Sequence, residues 1–167
     1  MPTLLQLTRT QTFVYLWIMI LITNEQTAIP VDLKQLEHDA KIILKALDYE
    51  HYDLGILLAT NAVIHEYNKM YRGHDKPTDI LSFPYHPELK AGERINPKTD
   101  DDKNVGDIII APLYVKNDLE RWEQTFEQRM KVLLVHGICH LLGYDHIEDA
   151  DYEVMHAQEK ILLEKIQ

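Results

Sequence analysis

The sequence is poor in cysteine, in positive charge and in long apolar segments. One cysteine in 167 residues excludes an internal disulfide framework. It is typical of a reducing compartment, so we expect a cytoplasmic protein. Lysine and arginine number 17 against 27 aspartate and glutamate residues, a formal net charge of −10. Nucleic-acid binding relies on basic side chains, so any such surface must be confined to a small part of the molecule.

The only candidate for a targeting or membrane segment is the apolar run FVYLWIMILI at residues 13–22. It is shorter than the roughly 20 residues that a membrane-spanning helix needs, and no small-residue cleavage site follows it. A buried first strand is therefore the prediction. A domain that starts at Met19 would be complete, so we expect residues 1–18 to be an upstream extension and residues 19–167 to form one domain. A signal peptide is the alternative.

Hydrophobic patterns and turn residues predict helices and strands that interleave as a sheet with packed helices. Asp32 and Asn61 are the predicted N-caps of the first two helices. Helices are predicted at 33–47, 62–72, 112–119, 123–142 and 151–166, and further strands at 54–59, 79–83 and 107–111. The histidines interpreted as ordinary surface or packing residues are His38, His51, His86 and His156.

Three histidines, His136, His140 and His146, stand at offsets of zero, four and ten in the segment HGICHLLGYDH. If residues 130–142 are helical, the first two lie one turn apart on one face. Gly143 can adopt a positive φ, end the helix and return the chain so that His146 completes a trigonal face. Three neutral imidazoles suit one zinc ion and leave a fourth position for water. The spacing therefore predicts a catalytic metal site and hydrolysis.

Gly137 follows the first histidine, where zinc proteases of the HExxHxxGxxH type carry a glutamate as general base. Without that carboxylate peptide hydrolysis loses its proton acceptor, so a protease with another base is an alternative and not the prediction. A structural zinc is a second alternative, but the single Cys139 points about 100° away from His140 around the helix. Asp145 is predicted to support the site by accepting a histidine N–H or by orienting the bound water.

The segment YRGHDKPTDILSFPY at residues 71–85 carries Arg72, His74 and Lys76 between a predicted helix end and a predicted strand. Taken alone, Arg72 is explained as a cation at a helix C-terminus and Lys76 as a turn residue. The metal motif changes this interpretation, because phosphodiester cleavage needs a cation against the charge that builds on the phosphoryl oxygens. Arginine supplies one with forked geometry, so Arg72 becomes the candidate catalytic cation.

Three segments in order, YRGHDKPTDILSFPY, NVGDIIIAP and HGICHLLGYDHIEDADYEVM, resemble the YbeY endoribonuclease family from about Met19 to the end of the chain. The resemblance implies a zincin-like α+β single domain with a small mixed sheet, packed helices and a central metal-binding helix. It implies one Zn²⁺ ion held by the three motif histidines, and Arg72 matches the arginine proposed for catalysis. The N-terminal extension and an expanded segment 84–104 depart from the family pattern.

The same resemblance implies cleavage of single-stranded ribosomal RNA, maturation of the 3′ end of small-subunit rRNA and a role in ribosome quality control. The expected partners are that RNA and the small ribosomal subunit or its proteins, with neither DNA nor a membrane. We expect zinc to activate a water molecule or the ribose 2′-hydroxyl while Arg72 stabilises the phosphoryl transition state. His74 and Asp145 are the candidate donors of the leaving-group proton. A non-catalytic ribosome-assembly factor with structural zinc is a further alternative.

Charge is unevenly distributed along the chain. Residues 144–167 hold seven acidic side chains and two lysines, whereas residues 69–90 hold four basic and three acidic side chains. RNA is therefore expected to approach from the side of Arg72 and Lys76, with weak and salt-sensitive affinity. The long segment 84–104 is predicted to be either a mobile substrate-contacting flap or a solvated linker.

Overall fold

Residues 20–167 are described by a computed structural model. The predicted extension 1–18 and residues 13–19 of the predicted first strand lie outside the described residues. The strands are β1 Ile20–Asn24, β2 Asp53–Leu58, β3 Ile80–Pro84 and β4 Asn104–Ile110. The helices are α1 Leu33–Ala46, α2 Asn61–Arg72, α3 Pro112–Asn117, α4 Phe126–Leu141 and α5 Asp149–Lys165. None of these helices is long and apolar enough to cross a membrane.

The four strands form one mixed sheet in the order β1-β2-β4-β3. β1 pairs with β2 and β2 with β4 in parallel, whereas β3 runs antiparallel to β4. β4 is buried along its whole length because it lies between two other strands and is covered on both faces. It begins at Asn104 and not at the predicted Asp107. β1 is an edge strand with half-buried and exposed residues, so the prediction of a buried first strand is wrong for its described part.

Successive strand residues point to opposite faces of the sheet, and each face has its own core. One face, which includes Leu54 and Ile108, packs against α1, α4 and α5 in the main core. The other face, which includes Leu57 and Ile109, packs against Ile64 of α2 in a smaller cluster. α4 contacts β3, β4, α1 and α5, so it is the central helix. The predicted α+β domain with a small mixed sheet and a central helix is confirmed.

The starts of the first two helices differ in how well the sequence predicted them. α1 begins after Asp32, whose carboxylate accepts the Gln35 N–H at 3.0 Å, as predicted. α2 begins one residue earlier than predicted, because the Thr60 hydroxyl accepts the Val63 N–H at 3.3 Å. Asn61 is therefore the first helical residue, and its assignment as N-cap is wrong. Both residue types cap helices well, so the sequence alone did not separate them.

α4 starts at Phe126, three residues after the predicted start at Glu123. Thr125 and Gln128 form a capping box in which each side chain binds the backbone N–H of the other. Glu123 has a φ of 51°, a left-handed conformation that a helix cannot include. The helix that carries the first two motif histidines therefore begins at a well-defined cap.

The segment between β3 and β4 packs against the domain. Ile95 is buried, and its N–H donates to the Tyr49 hydroxyl at 3.1 Å. The Arg94 guanidinium donates to the Leu47 carbonyl at 2.8 Å and lies 4.7 Å from the centre of the Tyr49 ring. Leu89 packs against the main core. These contacts anchor the segment to the domain although most of its residues are exposed, so the choice between a substrate-contacting flap and a solvated linker stays a prediction.

Candidate metal centre

The chain turns sharply at the end of α4, and this turn positions the third histidine. Gly143 has a φ of 81°, and its N–H donates to the His140 carbonyl while the Tyr144 N–H donates to the Cys139 carbonyl, each at 3.1 Å. This pair of bonds is a Schellman motif, which ends a helix at a left-handed residue. A Cβ at position 143 would also overlap a backbone carbonyl of the segment between β3 and β4. Glycine is therefore required where the chain reverses toward His146.

His136, His140 and His146 come together at this turn. The first two project from adjacent turns of α4, and the third lies in the loop before α5. The ring centroids of the three pairs are 4.5, 5.0 and 5.4 Å apart. One nitrogen from each ring lies within 4.8 Å of the other two. The three imidazoles are therefore close enough to share one ion.

The hydrogen bonds of two rings show which nitrogen atoms are free. His140 Nδ1 lies 3.0 Å from the Tyr144 carbonyl oxygen, and His136 Nδ1 lies 2.8 Å from Glu159 Oε1. A carbonyl and a carboxylate only accept, so each Nδ1 carries a proton and each neutral ring has a bare Nε2. The two Nε2 atoms lie 3.1 Å apart, where two lone pairs repel unless a cation is shared between them. The residues present therefore fit a metal ion bound through Nε2.

The ionisation of two neighbouring residues agrees with an all-imidazole site. Burial, together with the nearby His136 and His146, lowers the pKa of His140 to about 4. His140 is therefore neutral at physiological pH, which is the form that binds a metal. Burial also raises the pKa of the Cys139 thiol to about 12, and this residue is 1% exposed. The thiol is protonated and inaccessible, in agreement with the prediction that it points away from the histidines.

Two clefts open at the histidines. The first cleft has a volume of about 720 Å³ and is lined by all three rings, by Tyr71, Arg72 and Asp145, and by part of the segment between β3 and β4. The second cleft has a volume of about 360 Å³ and also contains His136 and His146, but its other walls come mainly from α4 and α5. The histidines are therefore accessible from two sides, and the sequence-predicted arginine lies in the larger cleft.

Arg72 and Arg129 line different clefts and differ in their surroundings. Arg72 is exposed and forms no ion pair with any residue in the range 20–167. Arg129, in the second cleft, is buried, and its guanidinium lies 3.2 Å from Asp79 Oδ2 and 3.7 Å from the centre of the Trp122 ring. Only the first of these charges is available to an anionic ligand.

Several known proteins are similar in sequence to this chain over most of its length. The sequence model of a family described as Endoribonuclease YbeY matches residues 21–167. The human protein of that name is 36% identical over 147 residues, which cover 88% of this chain and 87% of the human one. The protein of that name from Desulfitobacterium hafniense is 38% identical over 127 residues, which cover 76% and 80%. The chain belongs to the YbeY endoribonuclease family. The resemblance inferred from the three motifs is therefore confirmed.

A solved structure has a fold similar to that of this YbeY-family chain. The solution structure of TM1509 from Thermotoga maritima matches with a TM-score of 0.58 and 27% sequence identity. The match covers 89% of each chain. The α+β architecture that positions the three histidines is therefore not peculiar to this sequence.

Glu159 was not found by sequence reasoning, although it orients a predicted ligand of this YbeY-family chain. It lies on α5, 23 positions after His136, and its side chain is 19% exposed. A carboxylate that accepts the second N–H of a ligand histidine fixes the ring and raises its basicity. His156, interpreted as an ordinary residue, lies 3.8 Å from the same carboxylate. No local pattern marks Glu159, since α5 carries several acidic residues and the contact depends on how α5 packs on α4.

Asp145 and His74, the two candidate proton donors, have different positions. Asp145 lines the first cleft, and its carboxylate accepts the backbone N–H of His146 at 2.7 Å. It therefore stabilises the ligand loop, while the ring N–H partners are Glu159 and the Tyr144 carbonyl. His74 is exposed and lines neither cleft. The structure thus brings Asp145 to the histidines and leaves His74 outside.

Gly137 faces the sheet and has no space for a side chain. A Cβ at this position would lie 2.8 Å from Ile108 Cδ1 and 3.0 Å from Ile80 Cδ1. Real Cβ atoms almost never come that close, so a side chain here would require Ile108 and Ile80 to shift within the packed core. The general base of HExxH proteases has no counterpart at this position, which argues against the protease alternative.

Proposed function

We propose that the protein is a zinc-dependent endoribonuclease that cleaves single-stranded ribosomal RNA. One observation carries the proposal: three imidazoles with nitrogens suited to a shared ion line the same cleft as an arginine without an ion-pair partner in residues 20–167. Family membership supplies the reaction class, because the relatives are named endoribonucleases. A hydrolytic metal site with a free cation beside it is suited to a phosphodiester.

Each residue of the site has a distinct task in this proposal. His136, His140 and His146 would hold the zinc ion, which would supply Lewis acidity for hydrolysis when bound. Glu159 and the Tyr144 carbonyl hold two of the rings in the tautomer that presents Nε2 to the ion.

Arg72 acts on the substrate in this proposal. Its guanidinium donates to two phosphoryl oxygens at once and offsets the negative charge that they gain during attack. Asp145 is the candidate donor of the leaving-group proton that lines the cleft. His74 is a less favourable candidate because it lines neither cleft.

The biological setting is proposed from the family resemblance. It consists of 3′-end maturation of small-subunit rRNA and ribosome quality control, in the cytoplasm, with the small ribosomal subunit or its proteins as partners. The negative net charge of −10 supports the need for such a partner, since the protein surface as a whole repels RNA.

Metal analysis combined with a ribonuclease assay on wild type and His140→Ala tests this proposal. Wild type is expected to bind one equivalent of zinc and to cleave single-stranded RNA more readily than duplex RNA. His140→Ala is expected to lose both the metal and the cleavage, because two imidazoles hold zinc weakly. His156→Ala is the matched control, since this histidine lies nearby without being a predicted ligand. Retention of full RNA cleavage by His140→Ala would refute the proposed function.

A further inference from the structure

Tyr71 is an exposed aromatic residue held in a defined position beside Arg72. It lines the first cleft and is 48% exposed. Its ring lies nearly parallel to that of Tyr67, with centroids 5.8 Å apart and an interplanar angle of 20°. It meets the Phe83 ring edge-on at 5.2 Å and 75°. Tyr67 and Phe83 pack on the smaller core cluster, so they hold Tyr71 in place while about half of its surface remains exposed.

A supported aromatic ring next to a free cation is the arrangement that binds single-stranded nucleic acid. Bases stack on the ring, and the cation contacts the phosphate that joins them. We propose that Tyr71 is the platform on which a base next to the scissile phosphate stacks, while Arg72 contacts that phosphate. This inference rests on the proposed function, since it assigns a nucleobase subsite to the same cleft.

The proposed stacking contact gives a physical reason for single-strand specificity. In a duplex each base is paired and stacked between its neighbours, so its face is not available to a protein side chain. Presenting a base to Tyr71 from a duplex would require that pairing and stacking to be broken first. Tyr71 is therefore a specificity-determining residue in addition to a binding residue.

Tyr152 is a useful comparison, because it is a similarly exposed tyrosine that lines the second cleft and stacks on a neighbouring ring. It is 50% exposed and stacks on His156, with centroids 5.6 Å apart and an interplanar angle of 7°. Its chain neighbours Asp151 and Glu153 are exposed carboxylates that repel phosphate. Tyr152 is therefore not expected to bind RNA, although its ring is equally accessible.

The test is steady-state cleavage of a short single-stranded RNA oligonucleotide whose scissile bond has been mapped with wild type. Tyr71→Leu keeps apolar contact with Phe83 but removes the stacking surface. We expect it to raise KM about 5- to 100-fold with little change in kcat, since a base–aromatic stack contributes that much affinity. Tyr71→Phe is expected to restore most of the affinity, because it retains the ring.

Abasic substrates identify the contact itself. Replacing the one nucleotide that stacks on Tyr71 by an abasic residue should raise the KM of wild type by the same factor. The same abasic replacement should leave the KM of Tyr71→Leu almost unchanged, because the substitution has already removed the interaction that the abasic residue removes. Equal penalties in wild type and Tyr71→Leu at every abasic position would overturn the proposal, as would a Tyr71→Phe variant as impaired as Tyr71→Leu.

Two control variants separate stacking from general surface effects. Met70→Ala changes an exposed side chain, 73% accessible, that adjoins Tyr71 and lines neither cleft. Tyr152→Ala removes the ring among the carboxylates. Both are expected to keep the wild-type KM, and a KM increase in Tyr152→Ala equal to that in Tyr71→Leu would refute the choice of cleft.

The outcomes also separate this inference from the proposed function. Zinc content and thermal unfolding show whether Tyr71→Leu is folded. If it is not, the abasic series with wild type still decides, because a KM that is insensitive to every single abasic replacement excludes a base platform. A wild-type protein that cleaves no RNA would refute the proposed function and this inference together. Normal cleavage with an unchanged KM in Tyr71→Leu would refute this inference alone.

Discussion

Each of the two clefts that meet at the histidines is lined by an arginine, and the two arginines differ in exposure and in ion pairing. Arg72, in the first cleft, is exposed and has no ion-pair partner within residues 20–167. Arg129, in the second cleft, is 8% exposed, and it binds Asp79 and covers Trp122. One arginine has its charge available to a ligand, whereas the charge of the other is already balanced inside the fold.

Under the proposed function, this difference explains how a protein with net charge −10 acts on RNA. The proposal requires a cation without an ion-pair partner among residues 20–167 beside the reacting phosphate, and it does not depend on the total charge. Each cleft is lined by two carboxylates, Asp79 and Asp145 in the first and Asp79 and Glu159 in the second, so it is the available guanidinium of Arg72 that makes the first cleft the favourable approach. The functional assignment of the two clefts therefore depends on one arginine being free and the other paired.

Of the replacements that test this comparison, that of Arg72 is expected to have the largest effect on RNA cleavage. Arg72→Ala should lower kcat/KM for single-stranded RNA by roughly 10²- to 10³-fold, because it removes a donor to the charge of the transition state. Arg72→Lys should recover only part of this, since an ammonium group lacks the forked geometry. Zinc content and the free energy of unfolding should stay at wild-type values, because the side chain is exposed and unpaired. Loss of zinc together with activity would show that Arg72 is structural.

Replacing Arg129 should lower the stability of the fold and leave the activity almost unchanged, the opposite of the result expected for Arg72. Arg129→Met keeps an unbranched apolar stem but leaves the Asp79 carboxylate without its cation and removes the contact with Trp122. We expect a loss of about 2 kcal/mol in the free energy of unfolding, which a urea titration measures. The kcat/KM of the remaining folded protein should change little. Arg121→Met is the control, since this exposed guanidinium lies farther from the same ring, at 5.2 Å; equal losses from both substitutions would contradict the prediction.

The features that the sequence predicted correctly depend on contacts between near neighbours along the chain. Asp32 caps α1 through an N–H three residues away. α2 ends at Arg72, as predicted, and Gly143 ends α4 with a positive φ. The two histidines of α4 are one turn apart. Helix geometry fixes each of these distances, so residue type and spacing are sufficient to predict them.

The features that the sequence did not reveal depend on packing between distant segments. Glu159 reaches His136 across 23 positions, and Arg129 reaches Asp79 across 50. Neither pair has a fixed spacing, since each requires α4 to be seated on its neighbours first. The exposure of β1 likewise follows from its place at the edge of the sheet, which its apolar composition does not specify. The sequence therefore identified the candidate metal ligands but not the groups that orient two of them.

Replacing Glu159 tests whether the second cleft supports the metal rather than the substrate. Glu159→Gln keeps an oxygen that accepts the His136 N–H but removes the negative charge, so zinc affinity should fall about tenfold, as for other partners of ligand histidines. Competition with a chromophoric chelator measures this directly. Glu164→Gln, an exposed residue of the same helix, is the control and should bind zinc as wild type does. Unchanged zinc affinity in Glu159→Gln would show that the hydrogen bond does not tune the site.

Replacing Asp145 is expected to have the smallest effect on zinc affinity, and it tests the role of this carboxylate in the first cleft. The amide oxygen of Asp145→Asn can still accept the His146 N–H, so the ligand loop should keep its shape. Only the charge of a half-buried carboxylate is lost, and we expect this to change zinc affinity by no more than about fivefold. If Asp145 also donates the leaving-group proton, Asp145→Asn will lower kcat far more than it lowers zinc affinity. Parallel small losses in both quantities would instead restrict Asp145 to holding the loop, and the proton donor would then have to be sought among the other groups that line the first cleft.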